Sequence, residues 1–283
     1  MQDGLPSRTA RGAAAHRAAH QVLEGGRIFT DPFAFTLLDA DAGDIVTEAA
    51  NDPSRRNMRL FIASRSRLAE DALSAAVLRG VHQAVFLGAG LDTFALRNPY
   101  VGLVVFEVDH PATQAWKRGR FKQAGLQFPG SLKFAPTDFE TQNIADGLLA
   151  AGFQKNQPAI FVWLGVVMYL SRNAIFGTLD FVSDVPASEV VFDYLEPLDN
   201  YPSDRRASLS GFAARAAESG EPWISNFDPE ELSRELRHRG FDEIEDLDFA
   251  SVGDRFFNLP QGVSAGSGGH VIRARKIIGA RKT

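Results

Sequence analysis

An apolar run, Ala84-Val85-Phe86-Leu87, stops at a turn holding two glycines, Gly88-Ala89-Gly90. A second run, Val104-Val105-Phe106, leads to Glu107-Val108-Asp109. Continuous apolar strands joined through a helix are the unit of a parallel sheet covered on both faces. A glycine turn at the C-terminal end of such a strand is where these sheets bind ligands. Gly88 permits the tight turn, and Gly90 is expected to let a ligand approach bare backbone. Asp109 follows Gly88 by 21 residues. At a strand end its carboxylate can accept two hydrogen bonds from a ribose diol.

The residues after the glycines narrow the ligand. A dinucleotide fingerprint wants a third glycine at position 93, but the chain has Asp92-Thr93. Pyrophosphate binds the positive end of a helix. A carboxylate there competes for the same amides and repels phosphate. A cofactor without phosphates suits the site better, and S-adenosylmethionine, with an adenosine, a sulfonium and an amino-acid tail, fits. Asp92-Thr93 can equally cap a helix, which does not conflict with that reading.

The rest of the pattern alternates. Strands are expected at 83–87, 103–108, 132–136, 159–167 and 188–194, with helices at 111–124, 142–150 and 171–184. Before them come a helix at 8–23, a short one through 33–38 opened by Asp31-Pro32, and a long one from Arg55 to about Leu78 capped by Ser54. Arg65 and Arg67 interrupt its apolar stripe and need anionic partners or an exposed end. After Tyr194 come a helix around 204–219 and one opened by Asp228 and Pro229, with Glu231 completing a capping box. Strands at 241–249 and 270–277 and a Gly/Ser-rich loop at 258–269 close the chain. The fold class is α/β, a Rossmann-like, mostly parallel seven-stranded sheet. One domain spans 1–283, with a helical cap at 1–80 and a core at 81–283.

Composition excludes several classes. The net charge of −5 over 283 residues gives no basic footprint for nucleic acid. No apolar run reaches the ~18 residues of a membrane span. The absence of cysteine removes disulfides, thiolate metal sites and a cysteine nucleophile, and fits a cytoplasmic protein. Residues 8–22, Ala- and Arg-rich, superficially suit a transit peptide but read better as a helix of the domain.

In order and spacing, Ser7-x-Thr9-Ala10, Arg17-Ala18, Asp31-Pro32-x-Ala34, Gly88-Ala89-Gly90-Leu91-Asp92-Thr93, Glu107-Val108-Asp109-His110-Pro111, Thr137-Asp138-Phe139 and Met168-Tyr169-Leu170 resemble the leucine carboxyl methyltransferase family. The resemblance covers nearly the whole chain and includes the family's bacterial branch with polyketide O-methyltransferases. It implies the class I methyltransferase sheet, six strands parallel and one antiparallel near the C-terminal edge. It also implies S-adenosylmethionine as cofactor, leaving as S-adenosylhomocysteine. By the same resemblance Arg65 pairs with the methionine carboxylate, where a bidentate fork is well matched, and Gly88, Gly90 and Asp109 hold the rest of the nucleoside. Asp138 and Phe139 flank the adenine. On residues alone, Arg65 could be a surface pair, Asp138 a helix cap and Asp109 a plain turn residue. At position 164 the family usually carries a glutamate facing the cofactor. Here it is Leu164, so one polar anchor is gone.

Other candidates are weaker in pattern. His16 and His20 lie one helical turn apart and could chelate a metal, or simply occupy a surface helix. His110 could approach the reaction centre or start a helix. Tyr169 and Tyr194 end strands and could line an acceptor pocket or pack. The expected activity is methyl transfer to a carboxylate or acidic hydroxyl of a small molecule. Protein C-terminal carboxyl methylation and non-catalytic cofactor binding are the alternatives, with nicotinamide chemistry more distant. Neither a nucleic-acid nor a membrane partner is expected, and the oligomeric state is open.

Overall fold

A computed structural model describes residues 7–38, 42–52, 55–139, 141–218, 220–257 and 269–277. Within them seven strands form one sheet in the order β3-β2-β1-β4-β5-β7-β6. The strands are β1 Gln83–Leu87, β2 Val104–Asp109, β3 Leu132–Pro136, β4 Ile160–Trp163, β5 Glu189–Tyr194, β6 Glu243–Leu247 and β7 His270–Arg275. The first five pair in parallel, and β7 runs antiparallel to both β5 and β6. Strand order reverses between β1 and β4, so the glycine turn after β1 stands at the switch point where open sheets leave a crevice.

Alternation along each strand supplies two cores. Val85, Leu87, Phe161, Trp163, Val190 and Phe192 point to one face, against α6 (Ile144–Ala150), α7 (Arg172–Ser183) and α9 (Pro229–His238). Ala84, Phe86, Val162 and Val191 point to the other, against α3 (Arg56–Leu78) and α10 (Phe249–Phe256). A third cluster seats α1 (Arg8–Leu23) on Leu91 and on Phe121 of α5 (Pro111–Gln123). The shorter α2 (Ala42–Asn51) packs on α1, α4 (Phe94–Arg97) follows the glycine turn, and α8 (Ser203–Glu218) follows β5.

A buried charge network locks α1 to that turn. Arg17 Nε donates to Asp31 at 3.0 Å, and its Nη2 donates to the Leu91 carbonyl at 2.6 Å. Thr93 donates to the other Asp31 oxygen at 2.7 Å, Arg97 donates to Thr93, and Arg97 also pairs with Glu70 of α3. Each buried charge has a partner, as the cost of an isolated one requires.

Several elements differ from expectation. Residues 33–38 form successive turns and no helix, held by Asp31, whose side chain accepts from the Phe33 N–H. Helix α2 carried no marked start. Ser54 lies outside the described residues, and Arg55 at the α3 N-cap makes no side-chain capping bond. The strand expected over 159–167 ends at Trp163, because Gly165 turns with φ +73° and residues 167–169 coil into a 3-10 turn. The strand expected over 241–249 stops at Leu247; Asp248 caps α10 by accepting from the Ser251 N–H. Asp228 caps α9 as expected, while Glu231 pairs with Arg172 across to α7. Most of the 258–269 loop lies outside the described residues.

Candidate active site

The C-terminal ends of β1, β2, β4 and β5 open into a cleft of about 1440 Å³, closed over by α1, the first turns of α3, α8 and residues 220–224. Among its lining residues are Arg65, Gly88, Gly90, Asp109, His110, Asp138, Phe139, Leu164, Tyr169 and Tyr194, so the cofactor and acceptor-site candidates drawn from the sequence border one space.

The glycine turn is fixed by contact as well as by conformation. Gly88 has φ +62°, and a Cβ there would stand 2.4 Å from Val166 Cγ2. The missing side chain of Gly90 also leaves room for Ala10 of α1, whose Cβ would lie 3.0 Å from a Cβ at position 90. Close packing of α1 on the turn is one reason for glycine here, and the residue also borders the cleft. Asp92 accepts from the N–H of Phe94, the first residue of α4, at 2.7 Å, while Thr93 at the N-cap position makes no side-chain capping bond.

Asp109 is half-buried at the end of β2. One carboxylate oxygen accepts from the Gly90 N–H at 2.5 Å and the other from the His110 N–H at 2.7 Å. Burial raises its pKa, and these hydrogen bonds oppose the rise. The carboxylate therefore ties the glycine turn to the next strand, which a plain turn residue would not do. Two residues earlier, Glu107 is fully buried and pairs with Lys117 of α5 at 2.7 Å. Burial lifts its pKa to about 7 against the pull of Lys117.

Asp138 and Phe139 follow β3. The next helix is capped by Asn143, whose side chain accepts from the Ala145 N–H. The capping alternative for Asp138 is thereby excluded. Arg65 is no surface pair: its side chain is 11% exposed, and Nη1 donates to Asp193 at 2.5 Å. Asp193, on β5, was not singled out from the sequence, although an acid at the end of an apolar strand, Val190-Val191-Phe192, is the signal that marked Asp109.

The histidines also sort themselves. His20 is fully buried. Its Nδ1 meets Glu24 at 3.1 Å, and its Nε2 lies within reach of the Ile28 and Phe29 N–H groups. His16 borders the cleft. Burial, with the charges of Arg59, Arg55 and Arg65, holds its pKa down to about 4. Neither is a surface residue, and among the described residues no group of three metal-ligating side chains exists. His110 caps α5, its Nδ1 accepting from the Ala112 N–H at 3.2 Å. Burial raises the pKa of Tyr169, whose hydroxyl faces Trp223 Nε1 at 3.4 Å. Tyr194 is committed elsewhere: its hydroxyl donates to Asp246 at 2.6 Å and lies 3.2 Å from His270.

A cleft at the switch point of a six-parallel, one-antiparallel sheet, with a glycine turn and a carboxylate on the adjoining strand, defines a class I nucleoside-cofactor enzyme. The sequence model described as leucine carboxyl methyltransferase matches residues 10–183. The chain belongs to that family of S-adenosylmethionine-dependent methyltransferases. A Bacillus subtilis protein, YktD, named provisionally as an S-adenosyl-L-methionine-dependent methyltransferase, is 38% identical over 218 residues, 75% of this chain and 71% of its own. A Mycobacterium avium protein of the same provisional description is 32% identical over 284 residues, 90% of this chain and 89% of its own. The crystal structure of a provisionally assigned methyltransferase from Thermobifida fusca superposes with a TM-score of 0.57 at 17% identity, covering 96% of both chains, and speaks for the fold. Among the described residues no helix is long and apolar enough to cross a membrane.

Proposed function

We propose that this chain transfers a methyl group from S-adenosylmethionine to an oxygen of a small, largely apolar molecule, a carboxylate or an acidic hydroxyl. The observation that carries this is the extent of the cleft. A pocket for one drug-sized ligand is roughly 300–1,000 Å³, whereas about 1440 Å³ is open here. Beyond the strand-end acids its wall includes Met58, Phe61, Ile62, Leu209, Phe212 and Trp223, interspersed with charged residues such as Arg8, Arg215 and Glu221. That leaves room for an apolar acceptor beside the cofactor.

The residues at the strand ends fit the cofactor. Asp109 would accept from the ribose, Asp138 from the adenine amino group, Phe139 would pack on the base, and Arg65 would meet the amino-acid carboxylate. The turn through Gly88 and Gly90 shapes the floor beneath them. S-adenosylmethionine, when bound, supplies a methyl group already activated by its sulfonium charge. The protein's part is then alignment and exclusion of water. Among the described histidines that line the cleft, and Tyr194, none is a ready base. His110 Nδ1 is used in capping, Tyr194 is engaged with Asp246, and His16, with a pKa of about 4, is uncharged at neutral pH and a poor proton acceptor. An acceptor already ionised needs none: a carboxylate has a reference pKa of about 4 and a phenol about 10.

Ligand-dependent melting tests the cofactor. At ~100 times its dissociation constant, S-adenosylhomocysteine should add roughly 2.7 kcal/mol of stability. NAD should add nothing, and the reverse result refutes the reading. Release of S-adenosylhomocysteine with 2-naphthoate and 2-naphthol tests the acceptor. Turnover with the carboxylate should be nearly flat from about pH 6 to 8. A steep rise over that range, lost in His16→Ala or His110→Ala, would show base-assisted hydroxyl methylation instead. The family's own name favours a protein C-terminal carboxylate as the alternative, and a leucine-ended peptide in the same assay examines it.

A further inference from the structure

We propose that Asp193 is a positioning residue for a zwitterionic subsite. It holds the Arg65 guanidinium at the end of β4 so that the pair accepts the α-amino-acid end of the cofactor. The inference rests on the cofactor reading above.

The sheet register places the carboxylate. Trp163 and Phe192 are the last paired residues of β4 and β5. One step further, Leu164 and Asp193 are lateral neighbours. They continue the alternation of Val162 and Val191 toward the sheet face that α3 covers. Arg65 comes from α3 and meets Asp193 there. One carboxylate oxygen accepts from Arg65 Nη1 at 2.5 Å, and the other accepts from the Gly165 N–H at 2.5 Å. A single side chain, 2% exposed, thus joins α3, the turn after β4 and the end of β5.

Gly165 completes the fit. It has φ +73°, and a Cβ there would stand 2.8 Å from Arg65 Nη2. The guanidinium lies flat on bare backbone, where any side chain would displace it. Its donors are not used up. A guanidinium carries five N–H groups in a rigid fork. Nη1 serves Asp193, while Nε is buried with no partner. The Nη2 donors, which make no hydrogen bond to the described residues, are left for an acceptor in the cleft that Arg65 lines.

Charge accounting selects the ligand class. Arg65 and Asp193 sum to zero, so the subsite complements a group that is itself neutral overall but carries both signs. An α-amino-acid terminus is such a group: its carboxylate meets the free donors of Arg65, and its ammonium is drawn to Asp193. A phosphate would face Asp193 without compensation. The same geometry accounts for Leu164, because the strand beside it carries a carboxylate on the same face.

Calorimetric titration with S-adenosylhomocysteine and with 5′-methylthioadenosine tests this. The two share the adenosine and the sulfur, and the second lacks the amino acid. Asp193→Asn should lower affinity for S-adenosylhomocysteine by about tenfold or more, as for loss of a charge-assisted pair. Affinity for 5′-methylthioadenosine should stay within about twofold, and R65Q/D193N should lose no more than R65Q alone. Equal losses for both ligands would show a merely structural role and overturn the proposal, as would unchanged affinity for S-adenosylhomocysteine. Should D193N fail to fold, D193E keeps the charge but displaces the guanidinium, and the same split is expected; its absence refutes the assignment. A wild-type chain that binds neither ligand would refute the cofactor reading itself, and this inference with it.

Discussion

Replacing Gly88 by alanine tests how the floor of the cleft is built. Two costs are set by the structure. The backbone at φ +62° is left-handed, which costs a residue with a Cβ about 1–2 kcal/mol. The new Cβ would also stand 2.4 Å from Val166 Cγ2. Val166 follows Gly165 in the turn that Asp193 holds, so it can yield only by moving that turn. Overpacking of this kind costs about 1–3 kcal/mol. The sum, about 2–5 kcal/mol, should lower the melting temperature by roughly 5–15 °C. Chemical denaturation of G88A, V166A and the double variant separates the two parts. V166A removes the clash and leaves φ unchanged. The double variant should therefore be more stable than the sum of the single losses by about 1–3 kcal/mol. If G88A lies within about 0.5 kcal/mol of wild type, or if the cycle shows no coupling, Gly88 and Val166 are not in the contact described, and the argument fails.

Asp109→Ala should weaken S-adenosylhomocysteine binding by about 1.5–3 kcal/mol in calorimetry. It should also lower the unliganded melting temperature, because the Gly90 and His110 N–H groups lose their acceptor. Leu164→Glu places a second carboxylate beside Asp193 on a packed face. Stability should fall by about 1–3 kcal/mol with no gain in cofactor affinity, and tighter binding in titration would refute the geometry. His270 should govern a pH effect. Burial alone would lower its pKa, but the hydrogen bonds and charges of Asp246 and Glu196 outweigh it and raise the value. A raised folded-state pKa contributes stability that is present below the unfolded value, about 6.5, and is lost as pH rises through the folded value. His270→Gln should flatten this fall as pH rises above about 6.5 in urea titrations, and an unchanged slope would exclude His270 as its source.

The strands at 83–87 and 188–194 were legible because two-sided burial favours apolar runs, whereas 132–136, at the sheet edge, is only partly buried, with Lys133 and Pro136 exposed. Gly88 and Asp109 were legible because turn geometry and strand-end chemistry restrict residue type. Residues 33–38 misled: Phe33, Phe35, Leu37 and Leu38 have helical spacing, yet the Asp31 side chain captures the Phe33 N–H and holds a series of turns. The expected strand over 241–249 ran past Leu247 into Phe249, and the helix at 249–256 was not foreseen, since Phe249 fills a core on either reading and only the Asp248 cap marks the helix start.

By itself the sequence determined the alternating α/β order, the glycine turn, the strand-end acids and, through motif resemblance, the family. These are properties of short segments, set by local sterics and by the period of burial. Tertiary structure alone decided that Arg65 faces Asp193, 128 residues away in the chain, rather than solvent. It brought His16 to the cleft, buried His20, and filled the space at Gly90 with Ala10 of α1. Those outcomes depend on which helix crosses which strand end. No local pattern encodes that, because the partners meet only when the sheet register and the packing of α1 and α3 on it are fixed together.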